Sequence, residues 1–218
     1  MSLNETDPAL ARSLVETTMH LAAERGWHGF TLVEVALSAH IPLENIKRDY
    51  PFKALVLASL NNMADKAMLC GTEPYLSLRE GLFDLFMRRF DAFQDYREGL
   101  RAVMHALPSD PPLATFLGLT TMNTIKWIAD RAGLDRRGLG GKIRLQALMA
   151  VWIQTLRVWE KDETADLSDT MQALDKALNR AERFNLLKEV VRPPEETSLS
   201  TGGLPDYNSD TTSFPPED

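Results

Sequence analysis

The 218-residue chain has a single cysteine, four histidines and no long apolar run, and each scarcity removes a class of function. Cys70 alone excludes an internal disulfide and fits a reducing compartment. His20, His28, His40 and His105 show no metal-ligand spacing, and the Glu-x-x-His pair needed by a helical di-iron site is missing. HExxH, GxSxG and CxxC are absent as well, so neither an enzyme nor a cofactor is expected. Nothing approaches the roughly 20 apolar residues needed to span a bilayer. The start, MSLNETDPAL, has neither a basic leader nor Arg-rich amphipathic character, which predicts a cytoplasmic, bacterial-type protein.

Positive charge is also scarce. The formal net charge is −7, and residues 189–218 hold seven acids against Arg192. That segment is rich in Pro, Gly, Ser and Thr, and its composition predicts a disordered acidic tail. The body is left close to neutral. Two short charged or glycine-rich motifs carry little. GLGGK at 138–142 lacks the first glycine and the Ser/Thr of a phosphate loop, and reads as a helix connection. EKDE at 160–163 clusters carboxylates at a helix end and reads as a solvated face.

What the chain does have is helix punctuation. Asp7-Pro8 opens a helix that Gly26 stops. TLVE at 31–34 is a capping box opening a helix to about residue 39. Pro42 starts the next helix, which must end near Tyr50 because Pro51 disfavours helical geometry before it. Further helices are predicted over about 52–69, from SLRE at 77–80 through Phe93, and over about 97–107 and 112–131. A loop is expected at 133–141. Residues 143–159, apolar around most of their circumference, predict a central or interface helix. A last helix is predicted from Asp166 to about Leu187. The fold class is therefore all-α, about nine helices, divided into a module at 1–57, a larger helical domain at 58–188 and the tail at 189–218.

Two short helices at 31–39 and 42–50 joined by a three-residue turn have the layout of a helix-turn-helix. AAERGWHGFTLVEVALSAHI and YPFKAL resemble the tetracycline-repressor (TetR) family, whose Phe-Pro-x-Lys-x-x-Leu is matched by Tyr50, Pro51 and Lys53. The resemblance implies a TetR-like fold, with a ligand-binding, dimerising helical domain after a DNA-reading module. Its reading residues would be Pro42, Asn45, Lys47, Arg48 and Lys53. His40 replaces a usual turn glycine, and Glu44 and Asp49 put acids on the outer face. Residues 1–57 hold seven acids against five bases. Phosphate neutralisation supplies most non-specific DNA affinity, so this surface is a poor one for DNA.

The second half resembles the Coq-nine family of ubiquinone-biosynthesis accessory proteins. The most specific stretch carries Trp159, Asp162, Asp166 and Thr170, followed by Leu174, Asp175 and Leu178. With the module, the resemblance covers about residues 10–187. It implies a lipid-binding accessory function, in which an isoprenoid-type ligand is presented to a di-iron quinone hydroxylase. The membrane-binding helix of mitochondrial members has no counterpart in this sequence, and how peripheral membrane contact would be made is left open.

On this reading Phe83, Phe86, Phe116, Met122, Met149 and Trp152 are expected either to line an apolar lipid pocket or to be plain core. Trp127, Asp130 and Arg131 form the expected partner patch, with a core tryptophan as the alternative. The sequence therefore predicts a homodimeric, lipid-binding accessory protein of ubiquinone biosynthesis. The alternative is a ligand-responsive, DNA-binding regulator.

Overall fold

The computed structural model describes residues 8–71 and 74–190. Within them nine α-helices follow one another: α1 Pro8–Arg25, α2 Leu32–Ser38, α3 Leu43–Asp49, α4 Ala54–Leu69, α5 Leu78–Gln94, α6 Arg97–Ala106, α7 Pro111–Ala132, α8 Gly138–Trp159 and α9 Ser168–Arg183. A 3-10 turn, Leu107–Ser109, joins α6 to α7. The Asp7 cap and the tail beyond residue 190 lie outside the described residues.

The helix starts follow from their capping side chains. Thr31 Oγ1 accepts from Glu34 N at 3.3 Å, and Glu34 Oε2 accepts from Thr31 N at 2.8 Å, closing the expected box. Ser77 Oγ accepts from Glu80 N at 3.2 Å, but Glu80 reaches one residue further back, to Leu76 N. Asp110 Oδ1 caps α7 by accepting from Leu113 N at 3.0 Å, and Gly133 ends that helix at φ 89°. At the turn between α2 and α3, His40 holds a left-handed φ of 55°. A non-glycine residue there costs on the order of 1 kcal/mol, so the turn position that favours glycine is present and strained.

Two helix boundaries differ from expectation. α8 begins at Gly138, more than a turn before residue 143, so the loop shrinks to 133–137. Gly140 and Gly141 read as loop residues because glycine disfavours helices. Gly141 nevertheless sits so close to the Arg136 backbone that a Cβ would collide with its carbonyl. α9 starts at Ser168 and stops at Arg183, short of Leu187. The chain then turns at Asn185 (φ 54°) and runs back along the α7–α8 loop. Asp135 N donates to Lys188 O at 2.8 Å and Val190 N to Gly133 O at 2.9 Å. Glu189 Oε1 accepts from Leu78 N, so Glu189 and Val190 belong to the folded body and not to a tail.

An aromatic cluster lies within the core. On α5, Phe86 and Phe90 stack on Trp152 of α8 with ring centroids 5.8 and 4.6 Å apart, and Phe93 packs between Trp152 and Trp159. Arg89, on the same helix, is only 1% exposed. Its guanidinium lies 5.4 Å over the Trp152 ring and pairs with Asp65 and Asn61 of α4. Thr124 of α7 donates to the same Asp65 carboxylate at 3.0 Å. Burial lowers the Arg89 pKa, and Asp65 opposes that shift. One buried charged cluster thus ties α4, α5 and α7 together.

A second polar cluster explains the most specific stretch of the sequence. Asp162, buried between α8 and α9, accepts from Thr164 N at 3.0 Å, Thr170 N at 2.8 Å and Thr170 Oγ1 at 2.6 Å. Burial pushes its pKa up, but the hydrogen bonds from Thr164 and Thr170 outweigh that and hold it at about 2. Trp159 Nε1 donates to Gln94 Oε1, and Arg97 of α6 donates to the Trp159 and Asp162 carbonyls. Arg101 donates to Glu160 O one turn further along α6. Cations meet the carbonyl end of α8, where the helix dipole favours them. These residues hold α6, α8 and α9 in place, and α6 packs in turn on α1, where Gly99 lies against the Met19 backbone.

Candidate functional site

Three surfaces follow from this frame. The first is the outer face of α2 and α3. Of the five residues expected to read DNA, two have partners within the chain. Lys53 is half-buried, its ammonium donating to the carbonyls of Trp27 and Phe30 (3.0 Å to the latter) and lying 4.6 and 4.1 Å over their rings. Burial lowers its pKa, against the charges of Asp110 and Glu34. Arg48 forms a two-pronged pair with its neighbour Asp49, Nε to Oδ1 at 2.8 Å and Nη2 to Oδ2 at 3.0 Å. That hydrogen bond raises the arginine's pKa and lowers the aspartate's. Pro42 is exposed as the α3 N-cap and makes no side-chain cap, Asn45 is half-buried, and Lys47 is exposed beside the likewise exposed Glu44. Val33, Leu37 and Leu43 are exposed on the same pair of helices.

The second surface is on α7. Trp127 is 56% exposed, which excludes a core tryptophan. Leu119, two turns earlier, is also exposed. The charged members of the predicted patch behave differently from one another. Asp130 pairs with Arg136 of the following loop. Arg131 turns inward, donating to Gly71 O at 3.2 Å with its guanidinium 4.9 Å over the Tyr75 ring. The patch is therefore an indole and a leucine beside one paired carboxylate, and Arg131 serves the α4–α5 connection.

The six predicted pocket residues do not come together as one lining. Phe86 and Trp152 fill the core by stacking on each other. Phe83 and Met149 are half-buried and pack against that core, and Met122 is half-buried on α7. Phe116 lies elsewhere, edge-on to Phe52 with centroids 6.0 Å apart. The two rings border a third surface, an open groove of about 380 Å³ that also includes Trp27, Leu113, Pro112 and Asp110. Sequence reasoning missed this groove, because Trp27, Phe52 and Phe116 are distant in the chain and no local pattern joins them.

Along α8, Leu139, Ile143, Ala150 and Ile153 recur at helical spacing on a face turned to solvent; Leu139 is 78% exposed. The opposite face carries Leu148, Val151, Trp152, Thr155 and Trp159 into the core. The expected apolar character on both sides of this helix is thus present. Among the described residues there is no cluster of three His, Cys, Asp or Glu that could hold a metal ion. No helix among them is long and apolar enough to cross a membrane.

No protein-family model and no curated protein matches the chain. Solved structures do. A TetR transcriptional regulator from Nitrosomonas europaea ATCC 19718 is 22% identical, with TM-score 0.65 over 80% of this chain and 99% of the other. A TetR transcriptional regulator from Rhodococcus sp. RHA1 is 17% identical, with TM-score 0.52 over 78% of this chain and 96% of that one. The fold is all-α and TetR-like. Neither family model nor curated relative supports the Coq-nine resemblance, which rests on the residues quoted for it.

Proposed function

We propose that the chain is a lipid-binding accessory protein of ubiquinone biosynthesis that keeps the TetR-like fold without reading DNA. The observation that supports its second part, a fold that does not read DNA, is the condition of α3. With Arg48 paired to Asp49 at the surface and Lys53 half-buried over Trp27 and Phe30, Lys47 faces solvent beside Glu44. A groove-reading helix needs several cations or neutral hydrogen-bonding groups aimed at bases and phosphates. Here the same pair of helices exposes Val33, Leu37 and Leu43.

The lipid and the di-iron quinone hydroxylase come from the Coq-nine resemblance. The exposed Trp127 and Leu119 supply a surface of the kind that docks a protein, since partly apolar aromatic patches mark interaction sites. Of the predicted pocket residues away from the groove at Phe116, Phe83, Met122 and Met149 are the half-buried ones at which an isoprenoid would meet the body. The apolar stripe of α8 supplies the surface for a second copy, giving a homodimer.

The second reading is a ligand-responsive transcriptional regulator. The likeness to the two regulators favours it, as does the intact helix-turn-helix layout. Native mass spectrometry of freshly purified protein separates the two. An accessory lipid carrier releases a stoichiometric isoprenoid or phospholipid. Protein that is lipid-free and takes up no polyprenyl compound when offered one loses the lipid reading.

A further inference from the structure

We propose that the groove between the helix-turn-helix module and the start of α7 binds a flat aromatic molecule carrying one hydrogen-bond donor. The site is independent of the function proposed above and shares Phe116 alone with the six residues first expected to hold a ligand. Its walls come from three places: Trp27 from the α1–α2 connection, Phe52 from the α3–α4 junction, and Pro112, Leu113 and Phe116 from the first turns of α7. Its volume of about 380 Å³ lies in the range of small-molecule sites, roughly 300–1,000 Å³.

Ring geometry and charge together set the ligand class. Phe52 is 50% exposed, and Phe116 meets it at an interplanar angle of 87°, leaving aromatic surface of both rings open to the groove. Offset and edge-to-face contacts with two accessible rings, exposed Phe52 and half-buried Phe116, beside a nearly fully buried Trp27, favour another flat ring over a branched aliphatic one. Asp110 is the one charged residue of the lining. Its Oδ1 is occupied by the Leu113 amide, while Oδ2 stands 3.9 Å from His28 Nε2, beyond hydrogen-bond reach. That oxygen accepts from a hydroxyl or N–H of the ligand, a donor that an ionised carboxylate lacks, while the Lys53 ammonium, coupled to Asp110, offsets part of its charge. A phenol fits, and an aromatic carboxylate does not. Because the walls belong to both the module and α7, an occupant bridges the two and raises the stability of the whole chain.

Calorimetric titration of the full chain with 2-naphthol, 2-methoxynaphthalene and 2-naphthoate tests the site, with a thermal-shift measurement beside it. The expected result is saturable binding of 2-naphthol. The ether, which keeps the rings and loses the donor, binds about tenfold or more weakly, and naphthoate is weaker still. Phe52→Ala, at a half-exposed position, and Phe116→Ala each lower 2-naphthol affinity by about tenfold or more. Asp110→Asn keeps the α7 cap and narrows the gap between naphthol and naphthoate. Equal binding of the three probes, no binding of 2-naphthol, or undiminished binding in both folded alanine variants overturns the proposal. None of these outcomes bears on whether a lipid is released in native mass spectrometry.

Discussion

Replacing Asp162 with Asn removes one charge and leaves the shape of the side chain almost unchanged, which isolates what the buried carboxylate does. Both of its oxygens accept hydrogen bonds, from Thr164 on one side and from Thr170 on the other. An asparagine can accept on one side only, so its amide nitrogen faces a buried N–H donor. An unsatisfied buried donor costs about 1–3 kcal/mol. The aspartate's pKa of about 2, against an ordinary 3.8, corresponds to about 2 kcal/mol of stabilisation of the charged form. The two figures describe overlapping effects, and together they place the loss at about 2–4 kcal/mol at pH 7. For a body of this size that is a fall in Tm of roughly 4–16 °C. The pKa is depressed in the folded state, so the stabilisation is complete above the unfolded value near 4 and disappears as pH falls through about 4 to 2. Urea denaturation followed by circular dichroism at pH 7, 4 and about 2.5 measures it. The gap between the two proteins should shrink to below about 1 kcal/mol at the lowest pH. A gap under about 0.5 kcal/mol at pH 7, or one that is unchanged with pH, refutes the assignment of the charge as the stabilising feature.

Two further outcomes follow from exposed residues. Trp127→Ala should leave thermal stability within about 1 kcal/mol of the parent, because the indole is more than half exposed, and should weaken association with a di-iron quinone hydroxylase by about 2 kcal/mol or more in a calorimetric titration. A destabilisation of about 3–5 kcal/mol, as for a core tryptophan, contradicts the patch. Ile143→Glu puts a charge in the α8 stripe and should shift the protein to monomer in light scattering without loss of helical signal. A dimer undisturbed by that charge places the interface elsewhere.

Local chemistry was legible in the sequence and tertiary chemistry was not. Thr31 and Glu34 interact across three residues, so their capping box could be read from four letters. Pro51 ended α3 at Asp49 for an equally local reason. The start of α8 was misplaced because glycine has a low helix propensity, whereas Gly141 is held by close approach to Arg136. The site residues failed in the same way. Lys53 reads as a DNA contact until Trp27 and Phe30, more than 20 positions away, are seen to hold it. Arg131 turns from the patch because Gly71 O lies 60 residues distant in sequence. Phe86 and Trp152 were grouped with Phe116 on composition alone, and only packing separates a core stack from a groove wall.

The claim on which the account turns is that α3 does not read a groove. Fluorescence anisotropy with labelled duplexes covering the flanks of the protein's own gene, at about 150 mM salt, measures this most directly. The expected result is weak, sequence-independent binding in the range of about 10⁻⁴–10⁻⁶ M, falling further with salt. Nanomolar binding to one duplex and not to its scrambled counterpart, abolished by Lys47→Ala with Arg48→Ala, contradicts the account and makes the chain a regulator.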